Sequence, residues 1–134
     1  MRKITRVIIH CTATPEGRHH TAADIDRWHK ERGWSGIGYH WLIQLDGTIE
    51  KGRAEHIAGA HVKGHNAASI GVVYVGGCDT AMKPKDTRTA AQKAALVCLV
   101  DDVRKRYPNA MVHGHNEFDK GKACPSFDVR KEWK

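Results

Sequence analysis

Long apolar stretches are missing from this chain. Near the N-terminus the apolar residues are limited to the short run at positions 7–9, with Ile4 nearby. A signal-peptide core needs about 7–15 apolar residues, and a membrane-spanning helix needs about 20. We therefore expect no signal peptide and no membrane insertion, and we expect the protein to be made and to fold in the cytoplasm.

Closely spaced cysteines are missing as well. Cys11, Cys78, Cys98 and Cys124 are spread singly with no CxxC pair, so the ligand pattern of a zinc finger is not supported. A reducing cytoplasm should keep most of these thiols free. Because neighbours on a strand face opposite ways, we expect Cys11 to point away from His10 into the core. We interpret Cys78 as a loop thiol and Cys98 as a helix-packing residue.

Acidic residues are scarce relative to basic ones. Asp and Glu total 15 against 22 Lys and Arg, which gives a formal charge of +7 and a pI near 9.4. The basic residues are scattered, with short clusters only at positions 104–106 and 130–131. A solvated basic surface explains this pattern better than a nucleic-acid stripe, and no recognition-helix or RNA motif is found. We therefore expect no specific nucleic-acid partner.

The chain has 134 residues, 40% hydrophobic and 28% charged, without low-complexity tracts or repeats. These values predict a single domain over residues 1–134. Apolar periodicity, capping residues and turn residues then predict the order of elements. They are a strand at 6–12, a helix at 21–32, a hairpin at 39–45 and 48–51, a loop at 55–68, a strand at 69–75, a helix at 89–107, a strand at 110–113, a polar loop at 114–125 and a last helical turn after Asp128. This mixture predicts an α/β or α+β sheet with helices packed on it.

Histidines are unusually frequent, with ten in the chain, and several lie at predicted strand ends. His10 ends the first strand, His113 and His115 lie at or just after the last strand, and Cys124 follows in the polar loop. Two imidazoles and a thiolate fill three tetrahedral positions on zinc and leave the fourth for water. A hydrogen-bonded core histidine and a packed cysteine remain open as interpretations, and periodicity does not choose between His113 and His115.

Four sequence segments resemble a known family. They are VIIHCTAT with His10, RWHKERGWSGIGYHWLIQLDGTIEKGR with Tyr39, HVKGHNAASIGVVYVGG, and HNEFDKGKACPSFD with His115, Lys122 and Cys124. In this order they resemble the type-2 N-acetylmuramoyl-L-alanine amidases, which include small phage lysozyme-type amidases and the peptidoglycan recognition proteins. The resemblance covers essentially the whole chain and implies a single domain with a central mixed β-sheet flanked by helices.

The resemblance also implies a set of site residues. It implies zinc as the cofactor, held by His10, His115 and Cys124, with His113 as a flanking residue. It places two catalytic residues beside the metal and one further histidine near the active cleft as a substrate-binding or proton-relaying group. These are Tyr39, Lys122 and His61 respectively.

The function implied by the resemblance is zinc-dependent hydrolysis of the amide between N-acetylmuramic acid and L-alanine in peptidoglycan. We expect a monomeric phage or prophage endolysin that stays in the host cytoplasm until lysis and then acts on the cell wall. A non-catalytic peptidoglycan-binding module of the same fold is the alternative, and such modules typically lack the cysteine ligand, which is present here as Cys124.

Two further groups of residues have simpler interpretations. Asn66 and Ser69 are expected to fix their loop through side-chain to backbone hydrogen bonds. The aromatic residues Trp28, Trp34 and Trp41 could stack on sugars, but core packing is the better expectation for Trp28 and Trp41.

Overall fold

Strands and helices are interleaved along the chain in the computed structural model, which describes residues 2–133. One short 3-10 turn, Asn66–Ala68, directly precedes the strand Ser69–Tyr74, and another, His115–Glu117, directly follows the strand Met111–Gly114. The elements are β1 (Arg6–Cys11), β2 (Thr14–Pro15), α1 (Ala22–Glu31), β3 (Trp41–Ile43), β4 (Ile49–Lys51), β5 (Ser69–Tyr74), β6 (Gly77–Cys78), α2 (Ala90–Arg106), β7 (Met111–Gly114) and α3 (Val129–Glu132).

The main sheet has five strands in the order β4-β3-β5-β1-β7. β1 runs parallel to both β5 and β7, and Ile8 pairs with Gly71 on one side and with His113 on the other. Only β4 is antiparallel to its neighbour. The predicted single mixed α/β domain is therefore confirmed, and the end of β1 that carries His10 lies between the ends of two other strands.

Both long helices begin where the sequence predicts. Thr21 accepts a hydrogen bond from the backbone N–H of Asp24, whose carboxylate binds the Thr21 N–H in return, and Thr89 and Gln92 form the same reciprocal pair. Each capping box satisfies amide hydrogens that have no partner within the helix, and such a cap contributes about 1 kcal/mol. Local sequence therefore fixes where α1 and α2 start.

The sheet is covered on both faces. α2 packs on one face with its buried residues Leu96, Leu99, Val100 and Val103, which contact the alternate β1 residues Val7 and Ile9. On the other face Ile25 of α1 packs against Leu42, Val73 and Val75. Side chains alternate along a strand, so His10 faces the α1 side while Cys11 joins the core under α2. The core position predicted for Cys11 is confirmed.

A buried cation fastens the C-terminal segment. The side chain of Arg88 is 3% exposed and its guanidinium donates to both Asp86 and Glu132 of α3, at 2.9 and 2.7 Å. The same guanidinium lies 3.5 Å from the centre of the Phe127 ring. These contacts hold the segment after Cys124 against the start of α2.

Several sequence-based details were wrong. The predicted hairpin is present, but its strands β3 and β4 are each only three residues long, shorter than the predicted ranges 39–45 and 48–51. Cys78 is not a loop thiol: it lies buried in β6, which pairs with β2. Cys98 is exposed rather than packed, because it lies between the buried positions of α2 and on its outer face. Within residues 2–133, none of the helices is long and apolar enough to cross a membrane.

Candidate metal centre

Three predicted residues converge at one end of the sheet. His10 is near the end of β1, His115 follows β7 directly, and Cys124 lies in the loop after the 3-10 turn. One ligand atom of each lies within 4.8 Å of the others. The parallel pairing of β1 with β7 brings His10 and His115 together, although they are distant in sequence. His113, on the preceding strand, instead hydrogen-bonds Glu117 at 3.0 Å and is outside this group.

The spacing and chemistry of this group fit zinc. Nδ1 of His10 lies 3.8 Å from the sulfur of Cys124. Zinc bonds of about 2.1 Å to nitrogen and about 2.3 Å to sulfur would put two such atoms roughly 3.6 Å apart at the tetrahedral angle. Two imidazoles with one thiolate form a donor set that binds zinc in preference to harder cations. The residues present therefore suit a zinc ion with one position left for water or substrate.

Four hydrogen bonds hold Cys124 and the two residues that follow it. Its sulfur accepts a 3.1 Å hydrogen bond from the backbone N–H of Cys11, and its carbonyl accepts one from Asn116. The next two residues are anchored through Tyr74, which donates to the Pro125 carbonyl, and Ser126, which donates to the Gly77 carbonyl. The Cys11 contact was missed from the sequence because a backbone group gives no sequence signal.

The surroundings of His10 and Cys124 shift their pKa values toward the neutral forms. Burial, with the neighbouring His61 and His115, lowers the pKa of His10 well below its usual value. A neutral imidazole is the form that binds a metal. The Cys11 thiol and burial raise the pKa of the Cys124 thiol, whereas a thiol bound to a metal is deprotonated outright. The buried cysteine would thus exchange its proton for a metal ion.

Tyr39 lies beside the ligands. Its ring centre is 4.9 Å from that of His10. Its position is set by both neighbours, because Gly38 donates its N–H to Nδ1 of His29 and His40 donates its N–H to the Gly71 carbonyl. Burial, and then the neighbouring thiols, raise the pKa of Tyr39 above its usual value. The phenol therefore keeps its proton at neutral pH and is available as a hydrogen-bond donor.

Lys122 lies at the opening of the site. It is exposed, and it lines the cleft together with His115 and Cys124. The backbone N–H of Lys122 binds the Asp119 carbonyl at 3.0 Å, so a local turn presents the side chain. The structure thus places Tyr39 and Lys122 at the same cleft as His115 and Cys124.

His61 contacts the centre directly. Its Nδ1 lies 2.8 Å from Nε2 of His10, and its Nε2 lies 3.2 Å from the hydroxyl of Ser69. Burial, followed by the nearby cations and histidines, lowers the pKa of His61 to about 3. His61 also borders the cleft, so the structure brings all six predicted site residues together. A role in substrate binding stays a prediction.

The cleft beside these residues has a volume of about 340 Å³. Its walls include Trp28, His29, Arg32 and Trp34, supplied by α1 and the turn after it. Trp34 is 39% exposed, and the Arg32 guanidinium lies 5.9 Å from its ring. Trp28 is partly buried in the hydrophobic cluster between α1 and the sheet, and Trp41 in the cluster between α2 and the sheet, as the sequence predicted. Trp34 is therefore the tryptophan best placed to contact a ligand.

Comparison with solved structures defines the class of protein. The fold is similar to the N-acetylmuramoyl-L-alanine amidase LysC from Clostridium intestinale, with a TM-score of 0.82, 28% identity and coverage of 99% of this chain and 88% of that one. It is also similar to Drosophila PGRP-LB, with a TM-score of 0.81, 27% identity and coverage of 98% and 80%. The fold thus lies within the class that contains amidases and peptidoglycan recognition proteins.

The chain belongs to the N-acetylmuramoyl-L-alanine amidase family, whose family model matches residues 1–127. It is 42% identical to the endolysin of Escherichia phage T7 over 95% of this chain and 83% of that protein. It is 39% identical to the endolysin of Klebsiella phage KP32 over 98% and 87%. The family predicted from the sequence is confirmed, and the chain is an amidase rather than a binding module without activity.

Proposed function

We propose that the chain hydrolyses the amide between N-acetylmuramic acid and L-alanine in peptidoglycan, with a zinc ion held by His10, His115 and Cys124. The observation that carries this proposal is the convergence of two imidazole nitrogens and one sulfur within 4.8 Å at the edge of a cleft. The family of the chain supports the reaction, and the donor set supports the metal.

The chemistry divides between the metal and two side chains. Zinc held there would polarise the scissile carbonyl and lower the pKa of a water to about 7. The protonated phenol of Tyr39 donates a hydrogen bond to the carbonyl oxygen as that oxygen gains negative charge. The ammonium of Lys122 offsets the same charge from the cleft opening. The oxygen of one water bonds to the carbonyl carbon, the C–N bond breaks to leave a carboxylate, and both protons from that water go to the departing alanine nitrogen.

The substrate is a muramyl stem peptide, and the cleft has groups suited to one. The exposed face of Trp34 offers a stacking surface for a sugar, and the Arg32 cation beside it suits a stem-peptide carboxylate. A solved structure of Drosophila PGRP-LB, 29% identical, is a complex with tracheal cytotoxin. The likeness supports a related ligand in this cleft.

The biological role we propose is that of a phage or prophage endolysin. Curated relatives from four phages are endolysins at 39–42% identity, and the chain spans most of the length of each. In this role the enzyme waits in the host cytoplasm and reaches the wall when the inner membrane is breached. Its monomeric state stays a prediction that light scattering would test.

Mass spectrometry of purified peptidoglycan after digestion tests the reaction. We expect free stem peptides that begin with L-alanine and glycan strands of unchanged length. Peptidoglycan treated in the same way with the Cys124→Ala variant should release no stem peptides. New reducing sugar ends would instead mean that the enzyme cuts the glycan, and the proposed reaction would be wrong.

A further inference from the structure

The two ring nitrogens of His10 face different partners. Nδ1 faces the sulfur of Cys124 at 3.8 Å, and Nε2 faces Nδ1 of His61 at 2.8 Å. A neutral imidazole has one N–H donor and one lone-pair acceptor, and only the lone pair binds a metal. The position of a single proton on His10 therefore decides whether this residue presents a ligand atom toward Cys124.

A chain of hydrogen bonds fixes where that proton lies. The hydroxyl of Ser69 donates its one hydrogen to the carbonyl of His65 at 2.7 Å. Its oxygen then accepts from Nε2 of His61 at 3.2 Å, so the His61 proton is on Nε2. Nδ1 of His61 is left as an acceptor, and it requires the N–H of His10 to be on Nε2. The lone pair of His10 is thereby assigned to Nδ1, on the side of Cys124.

The ring of His61 packs against Gly71 and Gly59, which have no side chains. A β-carbon at Gly71 would lie 2.8 Å from both Cγ and Cδ2 of His61, and one at Gly59 would lie 2.7 Å from the same Cδ2. The side chain of Asn66 accepts from the backbone N–H of His61 at 2.9 Å and from that of Val62. The confirmed loop-fixing role of Asn66 thus also sets the place of His61.

We propose that His61 is a positioning residue, locked by Ser69, that selects the tautomer and orientation of His10 in which Nδ1 binds the metal. The proposal rests on the proposed function, because it takes His10 as a ligand. A ligating histidine generally donates its other N–H to a carboxylate, a carbonyl or water. Here the acceptor is a neutral imidazole, whose own tautomer depends on a serine hydroxyl.

Histidine tautomers in the wild-type protein test this directly. Long-range 1H–15N spectra of the zinc-loaded enzyme should show His10 and His61 both protonated on Nε2, with Nδ1 of His10 bound to the metal. Assignment follows from loss of the corresponding signals in single-histidine variants. A His10 ring protonated on Nδ1 would overturn the proposal, and this result needs no variant of His61 to fold.

Zinc affinity provides the second readout, measured by competition with a chromophoric chelator. His61→Leu removes the acceptor and should weaken zinc binding by about 10- to 100-fold. His61→Asn puts an amide oxygen near the former Nδ1 and should recover most of that loss. Ser69→Ala removes the hydroxyl that accepts from Nε2 of His61, so the His61 tautomer is no longer fixed. The zinc affinity of this variant should lie between those of His61→Leu and His61→Asn.

A matched control separates positioning from general loss of stability. Gln92 is fully buried on the opposite face of the sheet, where its amide donates to the carbonyls of Val75 and Ile43. Gln92→Leu should lower the free energy of unfolding without changing zinc affinity. A weakening of zinc binding in Gln92→Leu equal to that in His61→Leu would reduce His61 to a structural residue.

One further variant separates the proposed role of His61 from the proposed metal centre on which it rests. If His10→Ala keeps full zinc affinity, His10 is not a ligand and the proposed metal centre itself is wrong. If His10→Ala loses zinc while His61→Leu binds it like the wild type, the ligand set stands and only the role of His61 is overturned. The expected result is a large loss in the first variant and a smaller one in the second.

Discussion

The sulfur of Cys124 accepts a hydrogen bond from the backbone N–H of Cys11, a residue 113 positions earlier in the chain. Cys11 directly follows His10, so one strand end supplies one proposed ligand and supports another. A backbone N–H bonded to sulfur stabilises a thiolate more than a thiol, because the acceptor is then charged. The neighbouring side chain of Cys11 meanwhile packs into the core under α2, which fixes the position of this amide.

Zinc content should separate two histidines that are only two residues apart. We expect His115→Ala and Cys124→Ala to lose most of the zinc that wild type retains, since each removes a proposed ligand. His113→Ala is the matched control, because His113 bonds Glu117 and is outside the cluster of ligand atoms. Elemental analysis should find about one zinc per chain in that control. Normal zinc in His115→Ala would refute the ligand set.

The two residues beside the metal should affect rate rather than binding of the ion. Tyr39→Phe and Lys122→Ala should keep near-normal zinc content but lose activity by about a hundred- to a thousand-fold, as loss of one oxyanion donor does in other enzymes. Lys120→Ala, an exposed neighbour in the same loop, is the control for Lys122. Wall-clearing rates near those of wild type in both variants would mean that neither residue acts on the transition state.

Arg88 should stabilise the C-terminal segment. Arg88→Met removes the partner of Asp86 and Glu132, whose side chains are 33% and 40% exposed. Breaking a buried pair costs about 3–5 kcal/mol, and solvent at these carboxylates lowers the expected loss to about 2 kcal/mol. Urea denaturation measures the free energy of unfolding. Lys85→Met, which breaks the exposed pair with Glu16, should change that free energy much less than Arg88→Met does, because solvent screens an exposed pair; equal losses would contradict the account.

Buried histidines should make the fold sensitive to acid. Burial and the nearby Arg2 lower the pKa of the fully buried His40, although its bond to Ile57 opposes this. The unfolded chain therefore binds a proton near pH 6.5 that the folded chain does not. The stability from neutral His40 is complete above that pH and decreases as pH falls below it, by up to about 1.4 kcal/mol per pH unit.

A substitution isolates this contribution of His40. His40→Gln cannot titrate, so its free energy of unfolding should depend less steeply on pH than that of wild type between pH 6.5 and 5. Urea denaturation at several pH values gives both slopes. Identical slopes would show that His40 titrates alike in the folded and unfolded states.

The parts of the fold that were predicted well are coded locally. The starts of α1 and α2 follow from Thr21 and Thr89 and the residues three positions later. The β2–β6 pair was missed because strands of two residues show no periodicity. Cys98 was misplaced even though its position does not match the buried stripe of Leu96, Leu99 and Val103, so the sequence did contain the signal that it is exposed.

The site was less accessible to sequence reasoning. Strand alternation allows His113 and His115 to share a face, and only the family resemblance selected His115. The contact between His10 and His61 joins a strand to a loop without periodic pattern, 51 residues away. Such contacts depend on the packing of the loop over Gly71, which three-dimensional structure alone reveals.

Reconstitution of the enzyme with zinc tests the central claim most directly. Protein stripped with a chelator should lack amidase activity, and added zinc should restore the release of stem peptides in proportion until about one ion is bound per chain. Cys124→Ala, titrated in parallel, should recover little of this activity at the same zinc concentrations. Full activity in the stripped wild-type protein, or equal recovery in Cys124→Ala, would contradict a reaction that depends on zinc held by His10, His115 and Cys124.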